Sequence, residues 1–143
     1  FGIRTFNKAF LPSMIKKRWG RIIAITSISG IEVKEHDRVW FNAAKSSEIA
    51  IMKSFSKKKV FTKKNITFNS ISPGPILIKN TGWDELKKKN PRKFNKFYEK
   101  EIPTKYIGIS EDVAYLTAFI SSNYAKFVNG SNLVVDGGLS NRI

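Results

Sequence analysis

Phe41 and Lys45 stand four apart in "VWFNAAKSSEIAIMKSFSKKKV", residues 39 to 60. Apolar residues recur there at helical spacing, which predicts one amphipathic helix with both residues on the same face. A lysine on that face either takes part in chemistry or is an ordinary solvated lysine of a lysine-rich chain. Phenylalanine can neither give nor take a proton, so residue 41 is no acid or base. Ser46 and Ser47 turn away from that face. The nearest polar candidates are His36 and Asp37. A histidine has a near-neutral pKa and can relay protons, although a lone loop histidine is more often simply solvated. Two serines, Ser27 and Ser29, follow the β-branched run "RIIAIT", where a hydroxyl can meet a ligand or cap a strand end. Pro73 and Gly74 stop a second run, "ITFNSIS". They form either a plain turn or part of a ligand site, since open α/β sheets bind ligands at the carboxyl ends of their strands. Cysteine is absent and histidine occurs once, which excludes thiol catalysis and cysteine–metal sites and argues against a histidine zinc site.

These residues need elements to hold them. Residues 2 to 18 predict a helix, with Ile3, Phe6, Phe10, Met14 and Ile15 near a 3.6 period and Pro12 as a point of kinking. Gly20 is expected to close that helix after the basic "KKRWG" turn. "RIIAITS" is apolar almost throughout, which predicts a strand buried on both faces, as in a parallel sheet. In the 39–60 helix, Ile49, Met52, Phe55 and Ser56 form the inward row. Small residues on its other side, Ala43, Ser47 and Ala50, allow another helix close approach. "ITFNSIS" is the second strand. Residues 77 to 108 predict a long loop carrying one or two short helices, broken at Gly82, Pro91 and Pro103. Ser110 is the expected N-cap of a third long helix with Glu111 and Asp112 in its first turn. "SNLVVDGG" is a third, short buried strand. Helix, strand, helix, strand, helix, strand is the order of a parallel α/β sheet with right-handed crossovers. Three strands are few for such a sheet, so the pattern reads as half of a doubly wound domain.

The chain has 143 residues, 41% of them apolar, which is globular rather than disordered composition. No apolar run reaches the roughly 18 residues of a membrane helix, and no signal peptide is visible. A cysteine-free chain fits a reducing compartment, and a cytoplasmic location is expected. Twenty-six basic residues against 11 acidic give a net charge of +15. The excess is lysine spread over every segment, so we read it as a property of a lysine-rich proteome and expect neither a nucleic-acid nor a membrane partner. A basic nucleic-acid-binding module is the lowest-ranked reading.

Four segments, "GRIIAITSISG", "FNAAK", "ITFNSISPGPI" and "VNGSNLVVDGG", occur in this order at fitting distances. Together they resemble the C-terminal half of a short-chain dehydrogenase/reductase, over nearly the whole chain. The best match is the branch that includes 3-oxoacyl carrier-protein reductases. The resemblance implies a Rossmann-like doubly wound parallel sheet in three αβα layers, with residues 1 to 143 forming its C-terminal half. It implies an oxidoreductase that uses NAD or NADP on a carbonyl or alcohol group of a small molecule, without a metal. Ser27 matches the serine that hydrogen-bonds the substrate oxygen, with Gly30 as the glycine of its "TS-x-x-G" pattern and Ser29 beside it as a substrate contact. Lys45 matches the lysine that binds the nicotinamide ribose and lowers the pKa of the catalytic tyrosine. Pro73, Gly74 and Ile76 match the loop that contacts the nicotinamide. Asp136 and the glycines after it match a signature that shapes the subunit. Residues 78 to 108 correspond to the substrate lid, and Trp83 is its substrate contact. The lid's mixed aromatic and basic content suits an anionic, partly apolar substrate. The family's helices matching 2–18 and 39–60 build dimer and tetramer contacts, so a homodimer or homotetramer is expected of the complete protein.

Departures from the pattern sharpen the question. Phe41 occupies the position of the catalytic tyrosine, completing the set Ser27, Phe41 and Lys45 without its hydroxyl. Loss of a positioned acid costs on the order of a hundred- to ten-thousand-fold in rate. Ile78 stands where the family has a threonine that steadies the cofactor amide, and the Ser27-to-Phe41 spacing is one residue longer than in the tightest members. The glycine-rich turn that cradles a dinucleotide pyrophosphate is not in this sequence, so the chain is expected to be a fragment of a longer protein. The leading reading is an NAD(P)-dependent oxidoreductase. The alternative is a catalytically impaired pseudoenzyme acting as a binding or oligomer subunit.

Overall fold

The computed structural model describes residues 2–33 and 38–141. His36 and Asp37 lie outside the described residues, as do the side chains of Ile3 and Phe6. Helix α1 spans Gly2–Lys17 and runs through Pro12. Its buried row is Leu11 with Met14 and Ile15 beside it, whereas Phe10 is largely exposed, contrary to the expected face. Gly20 does not close the helix. Arg18 takes the left-handed conformation (φ 54°), and the Trp19 N–H reaches back to the Met14 carbonyl at 3.2 Å, the pattern of a Schellman ending. Gly20 instead opens the first strand.

Strands β1 (Gly20–Ile25), β2 (Ile66–Pro73) and β3 (Asn132–Val135) form a parallel sheet in that order. Ile22 pairs with Phe68 and Ile71 with Leu133, so β2 is central. β2 is buried along almost its whole length. The expectation of two buried faces, made for β1, fails there, and the expected buried β3 is only half-buried, because both are edges of the described sheet, where Ile25 and Val134 are exposed. Side chains alternate across the sheet. On one face Ile22, Ile66 and Phe68 pack with Leu11 and Met52 from the helices before and after β1. On the other, Ile71 packs with Ile120 and Ala125. The result is the three-layer αβα arrangement, with Phe55, Phe61 and Phe68 in mutual ring contact at 5.2–6.0 Å.

Helix α2 covers Val39–Ser56, shorter than the expected 39–60. The chain breaks at Lys57 and Lys58 and adds a short α3, Lys59–Thr62. Met52 and Ser56 are buried and Ile49 and Phe55 half-buried, as the inward row predicts. The 77–108 segment holds α4 (Gly82–Lys89) and α5 (Pro91–Glu101), with Pro91 at the first position of α5 and the Asn90 side chain capping the Lys93 N–H at 3.0 Å. Helix α6 spans Ser110–Ser121, and its N-cap is Ile109 rather than Ser110. The Asp112 carboxylate accepts from the Ile109 N–H at 2.8 Å, the backward bond of a capping box, and Ser110 is the first helical residue rather than the cap. Among the described residues no helix is long and apolar enough to cross a membrane.

Candidate functional site

A cavity of about 960 Å³ opens beyond the carboxyl ends of β1 and β2. Ser27, Ser29, Phe41, Pro73, Gly74 and Ile76 all line it, as does Trp83. Lys45 stands next to it. Its Nζ lies 5.8 Å from the Phe41 ring centre, donates to the Ile25 carbonyl at 3.3 Å, and pairs with Glu48 at 2.9 Å.

The local fold explains this convergence. Ser27 leaves β1 in extended backbone and caps a 3-10 turn, Ile28–Gly30, its Oγ accepting the Ser29 N–H at 3.1 Å. Gly30 then presses against α2. A Cβ there would sit 2.8 Å from the Lys45 carbonyl carbon and 3.0 Å from the Lys45 Cβ, so a side chain would push the turn and the helix apart. The Ser46 hydroxyl ties the same joint by donating to the Gly30 carbonyl at 2.6 Å. Sequence reasoning set Ser46 aside as facing away from the site; its role is to dock α2 on the serine turn.

Below Ser27, Thr26 and Ser72 share a hydrogen bond at 2.8 Å, and both Ser72 and Ser70 donate to the Asn132 side-chain oxygen at 2.8 Å. This buried hydroxyl ladder joins all three strands under the cavity. Such bonds contribute about 1 kcal/mol each net and cost more when one partner is removed. The turn after β2 is fixed at two points. The Gly74 N–H donates to the Val135 carbonyl at 2.9 Å, and the Gly108 N–H donates to the Pro75 carbonyl at 3.1 Å. Asp136 backs Gly74. Burial pushes its carboxyl upward, but the Ser140 hydroxyl, the Ser140 N–H and the Gly138 and Leu139 N–H groups outweigh that and hold it below the usual carboxylate value. The same turn delivers Leu139 to the cavity wall.

The α4–α5 hairpin closes the cavity with an apolar side. The rings of Trp83 and Phe97 pack in a tilted pair with centres 4.7 Å apart, and Leu86 and Ile78 join them on the cavity wall. The hairpin's lysines do not line the cavity; among the described residues the charged groups that do are Arg38 and Glu32. Sequence reasoning missed both, because a loop position carries no period that tells which way a side chain faces.

A family model described as enoyl-(acyl carrier protein) reductase matches residues 1–140. The chain belongs to the short-chain dehydrogenase/reductase family. A 3-oxoacyl-[acyl-carrier-protein] reductase of Rickettsia typhi is 37% identical over 133 residues, covering 93% of this chain and 52% of that protein. The chain thus spans about half the length of the curated relatives it matches. A short-chain oxidoreductase of Burkholderia thailandensis superposes with a TM-score of 0.82 at 28% identity, over 93% of this chain and 50% of that one. A 3-oxoacyl-[acyl-carrier protein] reductase of Brucella melitensis with bound NAD superposes with a TM-score of 0.76 at 25% identity, over 94% and 46%. The fold is accordingly the C-terminal half of the family's Rossmann-like sheet.

Solved neighbours of this chain hold a nicotinamide dinucleotide, as the Brucella melitensis reductase holds NAD. The cavity is of ligand size, sits at the strand ends, and has a glycine at the floor of the turn.

Proposed function

We propose that this protein is an NAD(P)-dependent oxidoreductase of a carbonyl or alcohol group, working in the cytoplasm on a small substrate. The observation that carries the reading is the single cavity that collects Ser27, Phe41 and the Pro73–Ile76 turn, with Lys45 at its edge. A bound dinucleotide supplies the hydride chemistry. The chain's residues do the rest. Ser27 Oγ already accepts the Ser29 N–H, so its own O–H is available to donate to the substrate oxygen. Lys45 has two of its N–H groups on Ile25 and Glu48, leaving the third for the ribose. The Pro73–Gly74–Ile76 turn shapes the nicotinamide floor. Residues 78–108 act as the substrate lid, with Trp83 and Ser29 against the substrate. Phe41 fills part of the wall but transfers no proton, so the proton comes from water or from another group rather than from residue 41. The relatives are named as reductases and dehydrogenases, and nothing in them favours the alternative of a pseudoenzyme subunit. For the complete protein we propose a homodimer or homotetramer through α1 and the exposed Ala43, Ser47 and Ala50 of α2.

Phe41→Tyr tests the reading. In the whole protein, cofactor-dependent reduction of a panel of small ketones should be slow with Phe41 and rise by about a hundred- to ten-thousand-fold with tyrosine. Vigorous turnover of the unmodified protein would show that another group delivers the proton. No turnover in either form would overturn the oxidoreductase.

A further inference from the structure

We propose that Arg38 is the specificity-determining residue of this cavity, and that it binds an anionic group, a carboxylate or a phosphate ester, on a substrate whose other end is apolar. The inference rests on the cavity assigned above being the substrate site. It differs from the reading of the lid's basic residues as the source of anion preference, because those side chains do not line the cavity.

Arg38 sits immediately before α2, in extended backbone, and its side chain makes no cap to that helix. Its guanidinium carbon instead lies 5.1 Å from the Phe41 ring centre, while Lys45 Nζ is 5.8 Å from the same ring. A guanidinium over an aromatic face is held in orientation yet keeps its N–H edge open, which is where carboxylates and phosphates bind in bidentate fashion. Among the described residues, no carboxylate comes within 4.0 Å of it. Glu32 lines the same cavity, but its oxygens accept from the Asn141 N–H at 3.2 Å and the Asn141 side-chain amide at 3.4 Å. The negative charge is thus engaged by the C-terminal segment. The opposite requirement comes from Ile78 and the hairpin residues Trp83, Leu86 and Phe97, which offer a mainly apolar surface. A ligand that satisfies both walls has an anionic head and an apolar body.

Calorimetric titration of the whole protein with phenylbutyrate and with its neutral isostere phenylbutyramide separates the two demands. The carboxylate should bind about tenfold more tightly than the amide, the difference expected of one partly exposed charge-assisted pair. Arg38→Gln should erase that difference, and continued binding of the amide reports that the cavity is intact. Arg38→Lys should keep part of the preference. Equal binding of the two ligands, failure of the carboxylate to bind, or a preference that survives in Arg38→Gln would each overturn the proposal. Because the readout is binding, it can fail while the oxidoreductase reading stands, and it can succeed where turnover is absent.

Discussion

Gly74 offers the sharpest test of how the cavity floor is built. A Cβ at this position would lie 2.7 Å from the Asp136 Cβ and 2.9 Å from the Asp136 Cα. Both distances fall inside the contact limit, and neither partner is a flexible side-chain tip. Asp136 cannot simply withdraw, since its carboxylate is fixed by the Gly138 N–H at 2.9 Å, the Ser140 N–H at 2.8 Å and the Ser140 hydroxyl at 2.6 Å. Gly74→Ala therefore forces the turn away from β3 and strains its own bond to Val135. Overpacking of this kind costs about 1–3 kcal/mol, and the rigidity of Asp136 places it in the upper half of that range. Gly82 is the internal control, because a Cβ there meets nothing within 4 Å. At that first position of α4, Gly82→Ala should gain about 0.5–1 kcal/mol from reduced freedom of the unfolded chain. In urea, with a slope of about 1–3 kcal/mol per molar, the midpoints of the two variants should separate by roughly 1 M or more, on opposite sides of the parent. The separation should come at constant slope. Equal midpoints, or a Gly74→Ala protein as stable as the parent, would refute the claim that the floor of the cavity is wedged against Asp136.

Two further outcomes follow from the same packing. Gly130 has φ +75°, and a Cβ on it would collide with the buried Ser56 side chain, so Gly130→Ala should cost about 2–4 kcal/mol in urea unfolding, the sum of left-handed strain and overpacking; Ser56→Gly should relieve only the collision and restore part of the loss. Asp136 has a folded-state pKa below its unfolded value, so its contribution is fully present above the ordinary carboxylate range and is lost as pH falls through the depressed folded value. Asp136→Asn should therefore flatten the acid limb of stability as pH falls through and below the ordinary carboxylate range while lowering stability at neutral pH, and an unchanged acid limb would refute the linkage.

How far the sequence reaches is clearest at particular residues. The order of strands and helices was legible because β-branched runs and helical periods are local patterns. The convergence of Ser27, Phe41 and the Pro73 turn on one cavity followed from motif order, since parallel strands present their carboxyl ends on one side. Edges were not legible. "RIIAIT" and "ITFNSIS" are similar runs, and only the pairing order makes one central and the other exposed at Ile25. Helix ends failed for a related reason. Arg18 rather than Gly20 adopts the left-handed turn, and Ile109 rather than Ser110 is the N-cap of α6, its N–H taken by Asp112. At each terminus several residues can satisfy the same groups, and tertiary position decides among them.

Charge shows the same division between what a residue type states and what a fold decides. The segment from Ile78 to Gly108 reads as basic and aromatic, and both halves of that reading are real. Helical period then sorts them: Trp83, Leu86 and Phe97 fall on the cavity side of α4 and α5, and Lys88 and Lys89 are spent on Asp84 and Glu85 one turn back in the outward-facing side of α4. A lysine-rich segment therefore contributes an apolar wall to the cavity. The cation that meets the ligand space is Arg38, in a stretch whose neighbours gave no periodic signal. Its meaning depends on Phe41, whose ring supplies the surface the guanidinium rests on. Phe41 thus brings an apolar ring without a hydroxyl to the wall on which the Arg38 guanidinium rests.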